Sequence, residues 1–457
     1  MLRVWLALSL VACGGKPHVP AKPATQDGDP SGTHREAVAA QLAPYVDGEL
    51  VRGVVIGLYD AGKTEIYGFG KGPGGKQPDG KTLFDLGTLT KVYTGVLLAE
   101  AVQRKELELD APISDLMPTG VTVPTKDEVA ISAKHLALHS SGLPRHPASL
   151  TSRKPLPDPF ASYNDDALYQ DLVSTTLTTA PGTEIQVSDY GVGLLGFALG
   201  RKIGGGYGPA LKTRILDPLG LSDTFLTLPT GASARKAIGT DDNLEPAPRW
   251  TWGALAGAGG LVSSARDCLK FLDAQLDAAA GSRGTLRPQL RLAQEAQLDR
   301  SGDNEALAWM IDSSGLRWYD GRTSGFRTYM AFDPKTKRGV VVLASTSTTL
   351  VDFLGPLMFE VLAGTAKAPA PLPTAADLDK YAGTYDFSGV KLSVVIANKR
   401  LYIEGPDEPR HRMAPYGDRG FWVDDLNAAA KFVLEGETVK ALVFKVGGKV
   451  LTAARIP

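Results

Sequence analysis

Phe84-Asp85-Leu86-Gly87-Thr88-Leu89-Thr90-Lys91-Val92-Tyr93-Thr94-Gly95 is the stretch on which the reading of this chain turns. A strand-like Thr82-Leu83-Phe84 leads in, and Val92, Val96, Leu97 and Leu98 follow at helical spacing, which predicts a helix over Lys91 to Arg104. Thr88 and Lys91 then stand three residues apart on one face of a first helical turn. A hydroxyl at that place lies at the positive end of the helix dipole, where an alkoxide or oxyanion is stabilised.

Further segments follow in a fixed order. They are Leu107-Glu108-Leu109-Asp110-Ala111-Pro112-Ile113, then His135-Leu136-Ala137-Leu138-His139-Ser140-Ser141-Gly142-Leu143-Pro144, then Pro181-Gly182-Thr183. Leu216-Asp217-Pro218-Leu219-Gly220-Leu221, Gly259-Gly260-Leu261-Val262-Ser263-Ser264-Ala265-Arg266-Asp267 and Gly325-Phe326-Arg327-Thr328-Tyr329 complete the series. With Thr88-Leu89-Thr90-Lys91 in the place of a Ser-x-x-Lys box, the series resembles the class C β-lactamase, D-alanyl-D-alanine carboxypeptidase and esterase superfamily, a branch of the penicillin-binding-protein-like enzymes. The resemblance spans about residue 35 to about 365. It implies an antiparallel sheet flanked by helices, an α+β fold, and acyl-transfer chemistry.

The rest of the chain has its own organisation. At 457 residues it exceeds what one core usually supports, and 43% hydrophobic with 22% charged residues is ordinary globular composition. A net charge of −1 and the lack of a basic stripe argue against nucleic acid. Val51 to Tyr59 and Lys63 to Gly70 read as a hairpin about Asp60-Ala61-Gly62. Gly191 to Lys202 and Ala265 to Leu276 read as helices, and Gly339 to Ala344 as a buried strand. Residues 366–376, with Pro369, Pro371 and Pro373, form a stiff linker. Residues 377–457 alternate in short segments, at Lys391 to Ile396, Arg400 to Glu404, Gly420 to Val423, Lys431 to Leu434, Ala441 to Val446 and Val450 to Thr452. Such spacing argues for a small β-barrel or sandwich, and the region resembles a lipocalin-like barrel.

Arg3 and the apolar run Val4 to Ala12 suit a signal peptide and are too short to span a bilayer. Leu10-Val11-Ala12-Cys13 resembles the bacterial lipoprotein box, which implies cleavage after residue 12 and acylation of Cys13. A plain secretory signal is the alternative. Lipidation would hold the protein to a membrane of the cell envelope, and Gly14 after the cysteine favours the outer one. Residues 13–34 read as a flexible tether and residues 35–365 as the folded body. Cys268, the other cysteine, is expected to be a small buried hydrophobe.

The superfamily needs a nucleophile, a base and oxyanion donors. Thr88 is the candidate nucleophile; the competing reading makes it a helix N-cap. Lys91 is the candidate base. The resemblance places a Tyr-x-Asn box after Pro181-Gly182-Thr183, and the ungapped match is Val187-Ser188-Asp189. Valine shuttles no proton, and a carboxylate at 189 would hold Lys91 charged. Asp189 as base, or Tyr190 moved in by a one-residue shift, are the two ways round this. The third box, a Lys-Thr-Gly or His-x-Gly, becomes Tyr319-Asp320-Gly321, with a phenol for the cation. Gly321 would let substrate lie along its strand, and Arg322 would contact substrate and supply a cation nearby. The backbone N–H groups of Thr88 and Arg322 would form the oxyanion hole.

Other motifs are weaker. His135 and His139 are four apart, without the zincin glutamate between them, so packing is expected and no metal or other cofactor is implied. There is no Gly-x-Ser-x-Gly elbow, and Gly257 to Gly260 lacks the Lys-Ser/Thr of a phosphate loop. Trp250 and Trp252 fit a cleft wall or core packing equally. Two functions follow. One is a hydrolase of ester, amide or peptide bonds in a small-molecule or peptidoglycan-like substrate, through Thr88, Lys91, Asp189 and Tyr319. The other is a catalytically degenerate member that binds a wall fragment or a protein partner.

Overall fold

The computed structural model describes residues 32–152, 156–281, 284, 286–300, 303–369, 375–406, 409–415 and 420–456. The expected signal peptide, Cys13 and most of the tether fall outside them, as do residues 370–374 of the linker.

The first unit is built on an eight-stranded antiparallel sheet. Across it run Lys63–Gly70, Gly53–Asp60, Arg338–Ala344, Arg327–Asp333, Arg317–Arg322, Met310–Ile311, Asp303–Ala306 and Ala296–Arg300. Asp60 pairs with Lys63, so Ala61 and Gly62, both at positive φ, make the tight two-residue hairpin that the sequence predicts. The apolar run 339–344 is explained by two cores. Val341 and Leu343 enter one, and Val340, Val342 and Ala344 enter the other on the opposite face of the sheet. The larger core is shared with helices Thr90–Gln103, Asp189–Ile203 and Ala265–Ala279. The smaller core is covered by helices Arg35–Asp47 and Leu354–Ala363. All three predicted helices form: the first is shifted by one residue, the second extends further at both ends, and the third runs on to Ala279. This is the α+β arrangement expected.

Residues 383–456 form a closed eight-stranded barrel, which decides between barrel and sandwich. Closure runs through Gly383–Phe387, which pairs with both Val390–Ala397 and Lys449–Ile456. His411–Pro415 is a strand that the alternation did not reveal. Tyr381, Tyr385, Phe421, Phe432 and Leu442 fill the interior, with Tyr381 stacked on Phe432 at 4.4 Å. Polar contacts seat the barrel on the body. Arg400 donates to the carbonyl of Asn243 at 2.7 Å, Arg412 donates to the carbonyls of Asp242 and Glu49, and Trp422 Nε1 donates to Thr349 Oγ1 at 2.7 Å.

Two glycines fix the geometry at the centre of the body. Gly87 has φ +56°, and a Cβ on it would lie 2.5 Å from the carbonyl oxygen of Arg322. A Cβ on Gly321 would lie 2.0 Å from the carbonyl oxygen of Leu86 and 2.9 Å from the nitrogen of Leu89. The turn Gly87–Leu89 therefore rests directly on the backbone of strand Arg317–Arg322. The missing side chain of Gly321 makes room for the turn. Gly321→Ala is expected to lower unfolding stability by about 1–3 kcal/mol in a urea titration, because backbone rather than a movable side chain blocks the new methyl.

Candidate active site

The turn Gly87–Leu89 leads straight into helix Thr90–Gln103, so Thr88 sits just ahead of the helix and Lys91 in its first turn. Thr88 makes no capping hydrogen bond to that helix among the described residues, which overturns the N-cap reading. Its hydroxyl instead faces the neighbouring strand. Thr88 Oγ1 donates to the carbonyl of Asp320 and accepts from the N–H of Arg322, both at 3.3 Å. The hydroxyl thus lies against one of the two N–H groups assigned to the oxyanion hole.

Helix Asp189–Ile203 meets this turn from the other side. Ser188 caps it, accepting from the N–H of Gly191 at 2.8 Å, so Asp189 opens the first turn with the dipole's positive end beneath it. Lys91 Nζ is 2.7 Å from Asp189 Oδ1, and both side chains are buried. Arg145 Nε and His146 Nε2 each lie 3.7 Å from Asp189 Oδ2. Burial pulls the Asp189 carboxyl up, but the Lys91 ammonium, with His146 and Arg145 behind it, outweighs burial and holds it below the ordinary carboxylate range. Burial pushes the His146 imidazole down, against the pull of Asp189, so it is neutral near pH 7. His146 Nδ1 is buried and has no hydrogen-bond partner among the described residues.

Thr88, Lys91, His139, Arg145, His146, Val187, Asp189, Tyr319, Asp320 and Arg322 line a single cleft of about 450 Å³. Phe160, Trp250, Trp252, Met310 and Trp318 make its apolar wall, with Phe160 stacked on Trp252 at 4.3 Å. Both tryptophans therefore line the cleft, and Trp252 is also fully packed. Val187 stands at the cleft surface, half exposed. Tyr190 is fully buried and points into the core, which removes the one-residue shift as a source of a phenol.

Two histidines resolve differently. His135 accepts from the N–H of Ser132 while Ser132 Oγ accepts from the N–H of His135, a reciprocal helix cap. His139 enters the cleft: its Nδ1 accepts from the N–H of Ser188, and its Nε2 lies 3.4 Å from the Tyr319 hydroxyl. Among the described residues no group of three or more His, Cys, Asp or Glu could hold a metal ion. Cys268 is buried, with its thiol pushed up to about 12 by burial.

Arg322 lines the cleft, and its guanidinium donates from Nε to Ser347 Oγ at 3.0 Å, with Nη2 3.5 Å from Asp424 Oδ2 on the barrel. Arg327, a second cleft cation, lies 2.8 Å from Asp320 and 2.5 Å from Asp352. The sequence reading did not find Arg145, His146, Arg327 or Asp424 as site residues. Arg145 and His146 follow directly on the quoted run ending at Pro144, which was the available signal.

A hydroxyl at a helix start, a lysine one turn on, and a glycine-bearing strand whose backbone N–H faces that hydroxyl thus meet in one cleft. The family model described as Beta-lactamase matches residues 38–364, and the chain belongs to that family. Among curated relatives it is 26% identical to the D-alanyl-D-alanine-carboxypeptidase/endopeptidase AmpH of Escherichia coli (strain K12), over 65% of this chain and 80% of that protein. It is 25% identical to penicillin-binding protein 4 of Amycolatopsis lactamdurans, over 78% and 95%. The fold matches the β-lactamase/D-alanine carboxypeptidase of Yersinia pestis at a TM-score of 0.62, with 24% identity, covering 71% of this chain and 98% of that one.

The buried ion pair has a testable signature. Asp189→Ala is expected to destabilise the protein by about 3–5 kcal/mol at pH 7, because the buried Lys91 loses its ion-pair partner. Since the folded-state pKa of Asp189 is depressed, its contribution is present above the unfolded value of about 3.9 and is lost as pH falls through the folded value. The gap between wild type and variant in urea titrations should therefore close on acidification below about pH 4.

Proposed function

We propose that this protein is an acyl-transfer hydrolase of esters, amides or peptides in which Thr88 forms the covalent intermediate. The observation that carries this reading is the 3.3 Å contact between Thr88 Oγ1 and the N–H of Arg322, which sets the nucleophile beside a donor for the developing oxyanion. Asp189, held ionised, is a weak base for a hydroxyl. His146, which lines the same cleft and is neutral near pH 7, is the better candidate, with Nε2 3.7 Å from Asp189 Oδ2. Thr88 Oγ1 bonds to the acyl carbon as its proton passes to His146; the leaving group departs with that proton. Water then cleaves the acyl-threonine, and the hydroxyl regains its proton. Lys91 keeps Asp189 in place, and Tyr319, braced by His139, orients substrate.

A second reading, a degenerate member that binds a cell-wall fragment or a protein, draws on two facts. Lys91 is paired with Asp189, and the resting Thr88 hydroxyl donates to a carbonyl. The threonine methyl adds crowding at a carbon that must come within about 3–3.5 Å. Turnover is therefore expected to be slow, and Thr88→Ser is expected to raise it modestly. In either reading the protein acts in the bacterial envelope, anchored through an acylated Cys13, and Cys13→Ala should move it from membrane to soluble fractions.

Treating the protein with a fluorophosphonate and an activated ester, then sequencing the labelled peptide by mass spectrometry, decides between the readings. An adduct on Thr88, absent in Thr88→Ala, is expected. No adduct under saturating probe sinks the hydrolase. Labelling should be flat above about pH 7 and fall on acidification as His146 protonates, with the midpoint below the ordinary value of about 6.5. His146→Gln should abolish that pH dependence and slow labelling about 10²-fold or more.

A further inference from the structure

Each arginine of the cleft that could meet a substrate anion already faces a carboxylate. Arg327 lies between Asp320 and Asp352, and Arg145 approaches Asp189, which also holds Lys91. Arg322 is the case apart, because its carboxylate comes from the barrel, beyond residue 364 where the family match ends.

Asp424 begins the single turn Asp424–Leu426 that follows strand Gly420–Val423. Its side chain is 5% exposed although it sits at the boundary between the two units. Oδ1 accepts from the N–H of Thr349 at 2.6 Å and from Thr348 Oγ1 at 3.2 Å, both on the body. Those bonds fix the carboxylate, and Oδ2 is thereby held 3.5 Å from Arg322 Nη2. Arg322 is also tied through Nε to Ser347, whose hydroxyl donates to the carbonyl of Thr323 at 2.7 Å. The same residue's N–H faces Thr88, and its guanidinium meets a carboxylate supplied by the barrel.

We propose that Asp424 makes the barrel a charge filter for the cleft: it occupies Arg322, so the site takes acyl substrates that are uncharged beside the scissile bond and turns away those bearing a carboxylate there. The cleft matches that class. Its walls are Phe160, Trp250, Trp252, Met310 and Trp318, and the strand position where the superfamily resemblance expects a cation holds Tyr319. The inference rests on reading the cleft as a substrate site, but not on turnover. A carboxylate entering would compete with Asp424 for Arg322 and would face Asp320 and Asp189 unpaired, at a penalty for each like-charge approach.

The test is equilibrium binding to the full chain at low salt, read by the fluorescence of the cleft tryptophans, with phenylacetate as the anionic probe and phenylacetamide as its neutral match. Wild type is expected to prefer phenylacetamide. Asp424→Asn keeps an acceptor for Thr349 and removes the charge; it should shift the affinity ratio about tenfold toward phenylacetate, and Asp424→Glu should restore the wild-type ratio. Adding Arg322→Gln to Asp424→Asn should cancel the shift. Arg322→Gln alone, which needs no change in the barrel, should leave the wild-type ratio within about twofold, whereas an Arg322 already serving as anion anchor would lose phenylacetate binding. An unchanged ratio in Asp424→Asn, a shift that survives without Arg322, or no saturable binding of either probe overturns the proposal. A shifted ratio together with no label on Thr88 leaves the filter standing and removes only the hydrolase.

Discussion

The close approach of two backbones, the turn at Gly87 and the strand at Gly321, is the constraint on which the rest of the site depends. A side chain at either position would collide with the facing backbone and force the turn off the strand. With both absent, Thr88 is carried to hydrogen-bonding distance of the backbone at 320 and 322, and the helix that starts there is aimed so that Lys91 reaches Asp189. The helix itself is buried almost all round, from Thr90 to Ala101, so it cannot slide to relieve a misfit. Position of the hydroxyl is thus set by packing on every side, and chemistry is left to a few groups.

Much of this was legible in the residues. The spacing of Thr88 and Lys91, the Asp60-Ala61-Gly62 turn and the alternating segments after residue 377 each carry a local signal, and each gave the right element. Position 189 could be placed against Lys91 because both lie in recognisable motifs. What stayed hidden is what depends on contact at long range. Nothing in the sequence near Gly321 tells that Leu86 presses on it. Nothing near Asp424 tells that its partner lies a hundred residues earlier in another unit. His139 looked like packing because its cleft role depends on a ring nitrogen reaching Tyr319, a detail of orientation rather than of pattern.

Charge in the cleft follows one rule. Each cation is set against a carboxylate: Lys91 against Asp189, Arg327 against Asp320 and Asp352, Arg322 against Asp424. Of these, the Lys91–Asp189 pair is buried on both sides; such a pair adds little net stability over apolar replacements, yet either partner alone is costly. Lys91 and Asp189 therefore hold one another in place, and replacing either alone would leave the other buried without its counterpart.

The two halves of the chain also differ in how far their strands must travel. In the barrel nearly every strand pairs with its sequence neighbour. In the body, Gly53–Asp60 pairs with Arg338–Ala344, so strands from opposite ends of the family region lie side by side, second and third across the sheet. Until residue 344 has been made and delivered, the edge of Gly53–Asp60 has an open row of backbone donors and acceptors, rich in valine and isoleucine. High contact order of this kind slows folding and lengthens the time during which such an edge can be captured by another chain. The nascent protein therefore depends on being kept apart from its own copies until its C-terminal third arrives.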